Sequence, residues 1–132
     1  MRGNQPCAVG GGFFLHLDRG AKRVWFAGDS GYDAELFREV AQRCGGPDLA
    51  MLPIGAYEPR WFMAPMHMNP AEAVRAHLDV QARQSVAMHW GTFQLTDEAR
   101  NDPLVALEAA RNESGVPANA FRVLAAGENL VA

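Results

Sequence analysis

The sequence predicts an α/β fold, in which strands and helices alternate along the chain. The clearest sign is the apolar run 24–27, which ends at a Gly-Asp-Ser-Gly turn and is followed from Asp33 by a helical pattern. Two more apolar runs, 49–52 and 85–88, are each followed by a loop and a helical pattern. Ligands bind such sheets at the carboxyl ends of the strands, where loops and helix N-termini converge. Asp29, in the turn, stands where a ligand would bind; the alternative is that it only ends a strand.

Periodicity and turn residues define the remaining elements. The predicted strands span 13–17, 23–27, 49–52, 85–88, 121–124 and 129–131. The predicted helices span 33–44, 70–80 and 103–112. The first two strands are joined by a polar turn with a glycine and therefore predict a β-hairpin. The first helix ends at Gly45, and the second has Asn69 as its N-cap and Pro70 as its first residue.

The loop 54–68 shows no clear period and is rich in aromatic and methionine side chains. An irregular loop of this length in a compact domain is usually functional or disordered, and this one is too aromatic to be disordered. Glu58 and Arg60 either pair with each other and brace the loop or contact a substrate directly. The apolar side chains of 61–63 are either covered core or a lip for a lipid-like substrate, and the sequence leaves both open.

Composition argues against several classes of protein. The 132 residues suffice for one domain with a real core, and 48% hydrophobic with 20% charged residues indicates a globular chain. The net charge of -3 argues against a nucleic-acid-binding surface. No apolar run reaches the ~18 residues of a spanning helix, and the N-terminus lacks a signal-peptide core. Cys7 and Cys44 show no metal spacing and no disulfide framework, so we expect free thiols in a reducing, cytoplasmic compartment.

The candidate site residues follow three successive strands. Asp29, His67 and His89 each lie in the loop after a strand candidate, so the sheet would bring them to one rim. A carboxylate and two imidazoles could bind zinc or another first-row metal ion. No pair has the local spacing of a metal motif such as His-x-x-x-His. The alternatives stay open: Asp29 as a strand-end cap, His89 as a satisfied buried histidine and His67 as an ordinary loop histidine. His77, on the apolar face of a helix, is interpreted as structural.

Three motifs occur in order along the chain. They are Ala-Gly-Asp-Ser-Gly-Tyr at 27–32, Pro-Ile-Gly-Ala-Tyr-Glu-Pro-Arg-Trp-Phe-Met at 53–63 and Met-His-Trp-Gly-Thr-Phe at 88–93. With them the chain, from about Gly11 to its C-terminus, resembles the C-terminal half of metallo-β-lactamase-fold hydrolases. The most similar branch holds N-acyl-phosphatidylethanolamine phospholipase D and the ascorbate 6-phosphate lactonase-like proteins. The resemblance implies half of an αββα sandwich, with a mixed sheet covered by helices on one face.

The resemblance also implies roles for individual residues. The family's Ala-Gly-Asp aspartate bridges two metal ions and its His-Trp-Gly-Thr histidine ligates one of them, which implies that Asp29 and His89 are metal ligands. His67 matches a family histidine near the substrate, so Asp29 and His67 are the catalytic candidates. The candidate substrate-binding residues are Tyr57, Glu58, Arg60 and His67. The implied cofactor is zinc or another divalent metal ion, with two ions in a complete site.

The chain departs from the family pattern in one large respect. It lacks the His-x-His-x-Asp-His motif of the N-terminal half and the further histidine that follows it, and its remaining histidines are His16 and His77. We therefore expect a single half-domain over residues 1–132, N-terminally truncated relative to the family, with an incomplete metal site. The implied function is the C-terminal part of a metal-dependent hydrolase of a phosphodiester, lactone or similar ester, inactive as an isolated chain. The alternative is a non-catalytic oligomeric or interaction module.

The expected partners follow from that resemblance. The substrate would be phospholipid-like or a phosphorylated small molecule, and neither a nucleic acid nor a transmembrane segment is expected. If half the sandwich is missing, one sheet face or edge lacks its cover, and such surfaces drive self-association. We expect a homo-oligomer in which a second copy covers that surface, with exchange of the hairpin 11–27 as one route, or a missing N-terminal half in its place. The interface should exceed ~1,000 Å².

Overall fold

The computed structural model of the chain describes residues 12–17, 19 and 21–131. Within them the strands are β1 (Phe13–Leu17), β2 (Lys22–Phe26), β3 (Leu49–Pro53), β4 (Gln84–Met88) and β5 (Phe121–Arg122). The helices are α1 (Ala34–Cys44), α2 (Arg60–Met63), α3 (Pro70–Asp79) and α4 (Asp102–Ser114). The predicted α/β fold with an N-terminal hairpin is confirmed.

All five of these strands form one mixed sheet in the order β1-β2-β3-β4-β5. β1 pairs antiparallel with β2, and the other neighbours are parallel. Parallel neighbours need crossover connections, which here carry α1, α3 and α4. Because crossovers are right-handed and the chain moves across the sheet in one direction, these helices lie on the same face. Contacts of α3 with both α1 and α4 agree with that placement, and the prediction of a mixed sheet with helices on one face is confirmed.

The core lies between this sheet and the three crossover helices. Trp25, Ala50, Leu52 and Ala87 point to the helices at alternate strand positions and are buried. The helices meet them with fully or almost fully buried side chains, namely Phe37, Val40, Val74 and Leu107. At roughly 25 cal/mol per Å², each such side chain stabilises the fold by about 1.5–3 kcal/mol. The core therefore holds the strand ends at fixed positions relative to one another.

The opposite face of the sheet carries a second apolar surface, which we call the open sheet face. Its residues are Phe13, Leu15, Leu17, Val24, Phe26, Leu49, Met51, Val86 and Met88, as the strand register shows. In β1 the side chains of Phe13, Leu15 and Leu17 are 67%, 49% and 47% exposed. The others are partly buried. An apolar surface of this kind is typical of a sheet that packs against a partner layer.

Three sequence predictions about local structure are wrong in detail. The loop 54–68 contains the short helix α2. The strand predicted for 121–124 is only Phe121–Arg122, because β5 is an edge strand that pairs with β4 at two positions. Residues 129–131 form no strand. The residue pattern of so short a segment cannot show whether a neighbouring strand is available to pair with it, and a strand is stabilised by such pairing.

Cys44 is disulfide-bonded, so the expectation of a free thiol is wrong for this residue. Linear spacing cannot show which cysteines come within the ~4.4–6.8 Å between Cα atoms that a disulfide needs. Cys7 and the start of the hairpin segment at Gly11 lie outside the described residues. In the part of the chain that the structure describes, no helix is long and apolar enough to cross a membrane.

Candidate metal site at the carboxyl ends of the strands

The carboxyl ends of β2, β3 and β4 form one rim of the sheet. The Ala27 amide donates to the Met51 carbonyl at 3.1 Å, and the Ile54 amide donates to the Met88 carbonyl at 3.0 Å. These bonds extend the parallel ladders just past the last strand residues. The turn after β2, the loop after β3 and the segment after β4 therefore begin side by side, as the sequence predicts for Asp29, His67 and His89.

Asp29 and His89 are in direct contact on this rim. The Nδ1 atom of His89 and the Oδ1 atom of Asp29 are 2.9 Å apart, with the carboxylate side chain 65% and the imidazole side chain 37% exposed. Gly28 precedes the aspartate with a φ of 68°, and His89 itself has a φ of 58°. Left-handed backbone is unusual for a residue with a side chain, although histidine tolerates it better than most. The predicted convergence of these two side chains is confirmed.

His67 lines the same open cleft as Asp29 and His89, which measures about 410 Å³. The lining residues are Asp29, Ala56, His67, His89, Trp90, Thr92, Phe93, Leu95 and Thr96. The loop that carries His67 is tied to the Asp29 turn, because the Met68 amide donates to the Ser30 carbonyl at 2.9 Å. Among the described residues, the buried Nδ1 atom of His67 has no hydrogen-bond partner. A buried nitrogen without a partner costs about 1–3 kcal/mol.

The donor atoms on this rim fit part of a metal site. Zinc bonds of ~2.1 Å at tetrahedral angles separate two ligand atoms by about 3.4 Å, and the Asp29 and His89 atoms stand 2.9 Å apart. A small outward movement would let one cation bind both. Within the described residues, however, no group of three or more His, Cys, Asp and Glu side chains could hold a metal ion. Among the described residues the rim thus presents two candidate ligands, fewer than the three or four protein ligands of a typical zinc site.

Arg60 braces the loop instead of facing the cleft. Its guanidinium donates to the carbonyls of Tyr57 at 3.1 Å and His67 at 2.9 Å, and to Glu72 Oε2 at 2.6 Å. Glu72 is also the capping-box residue of α3. Glu58 and Arg60 do contact each other in this loop, but through the backbone: the Glu58 carboxylate accepts the Arg60 amide at 3.1 Å. Among the described residues, the Arg60 guanidinium forms its ion pair with Glu72. The ion pair that holds this loop joins Arg60 to α3.

Glu98 fastens the start of the same loop to the segment after His89. Its carboxylate accepts the amides of Tyr57 at 3.2 Å and Glu58 at 3.0 Å. Burial raises the pKa of Glu98, but hydrogen bonds from Thr96, its own amide and the amides of Glu58 and Tyr57 outweigh burial and hold that pKa below its usual value. Burial and then the Glu98 charge raise the pKa of Tyr57 to about 12. Tyr57 is therefore a neutral, buried phenol.

The structure thus separates the predicted site residues into two groups. Asp29, His67 and His89 line the cleft, whereas Tyr57, Glu58 and Arg60 are absent from its lining and hold the loop together. The structure adds residues that sequence reasoning missed: Glu72, Glu98, Thr92, Phe93, Leu95 and Thr96. A local signal existed for Glu72, because Asn followed three residues later by Glu is typical of a capping box, and for Thr92 and Phe93, because they belong to the motif at 88–93.

The apolar side chains of α2 are exposed in the described part of the chain. Trp61 is 84% and Phe62 56% exposed, and their ring centroids are 5.7 Å apart. Of the two interpretations of residues 61–63, burial in the core of this chain does not hold for these two side chains. Phe93 and Leu95 are likewise 78% and 79% exposed where they line the cleft. The cleft is therefore lined by polar and by exposed apolar side chains.

Comparison with known proteins identifies the family. Residues 8–90 match the sequence profile described as "Beta-lactamase superfamily domain". The chain therefore belongs to the metallo-β-lactamase-fold family of metal-dependent hydrolases. Among solved structures it is similar to Igni18, a metallo hydrolase from the archaeon Ignicoccus hospitalis, with a TM-score of 0.56 and 26% identity over 83% of this chain and 40% of that one. It also shares the fold of an isothiocyanate hydrolase from Delia radicum gut bacteria, with a TM-score of 0.63 and 21% identity over 83% and 39%.

Two curated relatives carry the name N-acyl-phosphatidylethanolamine-hydrolyzing phospholipase D. The protein of Caenorhabditis elegans is 49% identical over 74 residues, which is 56% of this chain and 21% of that protein. The mitochondrial protein of Saccharomyces cerevisiae is 41% identical over 96 residues, 72% of this chain and 20% of that protein. A UPF0173 metal-dependent hydrolase of Symbiobacterium thermophilum is 36% identical over 84 residues, 62% and 33%. The matched region spans about a fifth of the first two relatives.

Proposed function

We propose that this chain carries the C-terminal part of the active site of a metal-dependent hydrolase that cleaves a phosphodiester, lactone or similar ester. The observation that carries the proposal is the 2.9 Å contact between His89 Nδ1 and Asp29 Oδ1 on the rim of the sheet. The family membership of the chain makes a divalent metal the expected cofactor, and we propose zinc. Asp29 and His89 are its proposed ligands here.

The proposed roles follow from the donor atoms. Divalent metal ions, when bound, lower the pKa of a bound water towards ~7 and polarise a phosphoryl or acyl oxygen. Asp29 has two carboxylate oxygens and would hold two cations, whereas His89 would hold one. His67 lines the same cleft, and we assign to it a hydrogen bond to the substrate. Arg60 and Glu98 hold the loop that carries His67.

The cleft favours a substrate with one polar and one apolar end. Its lining combines the polar side chains of Asp29, His67 and His89 with the exposed apolar side chains of Phe93 and Leu95. An ester or phosphodiester with an acyl group would place its polar bond at the first set and its chain at the second. The names of the two phospholipase D relatives agree with a phospholipid-like substrate. A small phosphorylated molecule would leave the apolar side chains of Phe93 and Leu95 without a contact.

The isolated chain is expected to have little or no hydrolase activity. A catalytic zinc ion usually has three protein ligands, and we identify two among the described residues. In this proposal residues 1–132 are a half-domain, and the remaining ligands belong to the N-terminal part of the family fold. The matched region spans only about a fifth of the phospholipase D relatives, which leaves room for such a part.

The test is to titrate zinc into the purified wild-type chain and two matched variants, and to measure binding by calorimetry and by equilibrium dialysis. Asp29→Asn removes the carboxylate of the site. Asp33→Asn removes a nearby carboxylate that caps α1, and asparagine caps a helix about as well as aspartate. We expect micromolar zinc binding that Asp29→Asn abolishes and Asp33→Asn leaves unchanged. Equal binding by both variants, or none by wild type, would contradict the assignment. Zinc-dependent turnover by the isolated chain, lost in Asp29→Ala, would contradict the expected inactivity.

A second function is favoured by the open sheet face. An exposed apolar surface on β1 is typical of an interaction surface, and the described residues do not complete a metal site. On this alternative the chain is a non-catalytic oligomeric or interaction module. Wild-type protein that binds no zinc but self-associates in sedimentation experiments would favour it over the hydrolase.

A further inference from the structure

Two glycines next to the cleft touch neighbouring backbone so closely that no side chain fits. A Cβ atom added to Gly55 would lie 1.8 Å from the carbonyl oxygen of His89 and 3.2 Å from the Cα of Trp90. A Cβ added to Gly31 would lie 2.6 Å from the carbonyl oxygens of both Ala64 and Pro65. Real Cβ contacts essentially never fall below 3.0 Å. Both contacts therefore exist only because the residues are glycines.

These two contacts connect all three segments that carry the cleft residues. Gly31 lies two residues after Asp29, and its contact at 64–65 lies just before His67. Gly55 begins the loop that carries His67, and its contact is the backbone of His89 itself. The loop after β3 is thus held against the Asp29 turn on one side and against His89 on the other. A backbone hydrogen bond lies next to each contact. The Met68 amide donates to the Ser30 carbonyl near Gly31, and the Ile54 amide donates to the Met88 carbonyl near Gly55.

We propose that Gly31 and Gly55 are positioning residues that set the spacing of Asp29, His67 and His89 through direct contact between backbones. The use of that spacing to hold metal and substrate rests on the proposed function. The spacing itself does not, because it is a property of the folded chain. Neither glycine is among the residues that line the 410 Å³ cleft, so the positioning role requires no contact with the substrate.

The required displacements can be worked out from the contacts. The His89 carbonyl would have to recede by at least 1.2 Å, from 1.8 to 3.0 Å, to admit a Cβ at Gly55. The corresponding movement at Gly31 is 0.4 Å, from 2.6 to 3.0 Å. The obstacle is backbone in both cases, and a backbone cannot rotate away as a side chain can. Ala56 and His89, beside the Gly55 contact, have φ angles of 61° and 58°, a narrow region that leaves little freedom to adjust.

The chain offers a matched control at the other end of the sheet. A Cβ at Gly46 would lie 2.4 Å from the carbonyl oxygen of Gln81, so Gly46→Ala requires a movement of at least 0.6 Å. Gly46 and Gln81 precede β3 and β4, at the amino ends of the strands. Gly46→Ala should therefore cost stability to a comparable degree without moving the cleft. Its effect separates general crowding from an effect on the site.

The experiment compares wild type with Gly55→Ala, Gly31→Ala and Gly46→Ala. The readouts are the His89 Nδ1 to Asp29 Oδ1 separation in crystal structures, the zinc affinity and the urea midpoint of unfolding. We expect Gly55→Ala to increase the separation from 2.9 Å to beyond hydrogen-bond distance, about 3.5 Å, and to weaken zinc binding by about 10–100-fold, as other changes behind metal ligands do. Gly31→Ala should displace His67 and leave the Asp29–His89 contact closer to wild type. Gly46→Ala should preserve both distance and affinity.

The outcomes separate this proposal from the proposed function. Wild-type chain that binds no zinc would contradict the proposed metal site. The distance between His89 Nδ1 and Asp29 Oδ1 in the variants would still test whether the glycines position these side chains. An unchanged Asp29–His89 contact in folded Gly55→Ala would overturn the positioning role. So would a loss of affinity in Gly46→Ala equal to that in Gly55→Ala. If Gly55→Ala does not fold, the test is the position of His67 in the crystal structure of Gly31→Ala, which should be displaced from that in wild type. Failure of both to fold beside a folded Gly46→Ala would also overturn the proposal, because the contacts would then hold the fold and not the site.

Discussion

Replacement of Arg60 by methionine is expected to lower the free energy of unfolding by about 2–4 kcal/mol. Methionine keeps an apolar stem of similar length and removes only the guanidinium, so lost packing contributes little. The guanidinium donates to two backbone carbonyls, of Tyr57 and His67, and to the carboxylate of Glu72. The substitution therefore removes the brace between the loop and α3 in a single change.

The magnitude follows from burial and the number of bonds. A hydrogen bond to a charged group contributes about 1.5–3 kcal/mol when desolvated. The Arg60 and Glu72 side chains are 26% and 19% exposed, so solvent screening brings each bond towards or below the low end of that range. Three bonds made by one group are not additive, which leaves a total of about 2–4 kcal/mol. Removal of Arg60 also leaves the carboxylate without its cationic partner, which adds to the cost.

A pair of double-mutant cycles measured by urea unfolding tests the assignment of the partner. One cycle combines Arg60→Met with Glu72→Gln, and the other combines it with Glu58→Gln. Glutamine can replace glutamate in a capping box, so Glu72→Gln removes the charge and keeps the cap of α3. We expect a coupling energy of about 1–2 kcal/mol with Glu72 and less than about 0.5 kcal/mol with Glu58. The same coupling in both cycles, or a larger one with Glu58, would refute the reasoning.

A second readout follows the consequence for the cleft. Without its bond to the His67 carbonyl, the loop 57–68 should open more often, and its amides should exchange with solvent faster than those of β3 and β4. Amide hydrogen exchange on wild type and Arg60→Met measures this difference. Uniformly faster exchange across the whole chain would show that Arg60 supports the fold in general and not this loop in particular.

Three further predictions concern parts of the chain away from this loop. Burial lowers the pKa of His77 below its ordinary 6.5, and His77 Nδ1 shares a hydrogen bond of 2.7 Å with Ser85. Below pH 6.5 the unfolded chain therefore binds more protons at this residue than the folded chain does. The free energy of unfolding should fall as the pH drops from 6.5 towards the lowered pKa. In urea unfolding series from pH 7.5 to 4.5, His77→Gln should reduce this slope, and an identical slope would contradict the prediction. Gln81 is exposed just after the α3 C-cap and has a φ of 58°. Because glycine adopts this backbone conformation without strain, Gln81→Gly should raise the free energy of unfolding by about 0.5–1 kcal/mol. Urea unfolding measures this change, and a lower free energy of unfolding would contradict the prediction. The open sheet face should make the isolated chain a dimer or larger at micromolar concentration, and Leu15→Lys should dissociate it; a soluble, monodisperse wild-type monomer in sedimentation would show that this face needs no cover.

Sequence patterns predicted the elements whose physics is local. The α1 helix begins where Asp33 accepts the amides of Glu35 and Leu36, and α3 begins at the Asn69 capping box. These interactions join residues at most three positions apart, so the order of residue types is enough to reveal them. The alternation of such elements then implies the mixed sheet, and the sheet implies that residues after successive strands meet. The convergence of Asp29 and His89 was predictable for that reason.

Tertiary structure alone decided which groups pair across long separations. Glu98 binds amides some 40 positions earlier in the chain, Arg60 pairs with Glu72 on another helix, and Cys44 is in a disulfide. The buried nitrogen of His67 and the backbone contact at Gly55 are likewise set by how neighbouring loops pack. A charged or polar side chain has many partners within reach of its sequence position. Strand register and helix packing select one of them, and neither can be read from the spacing of residue types.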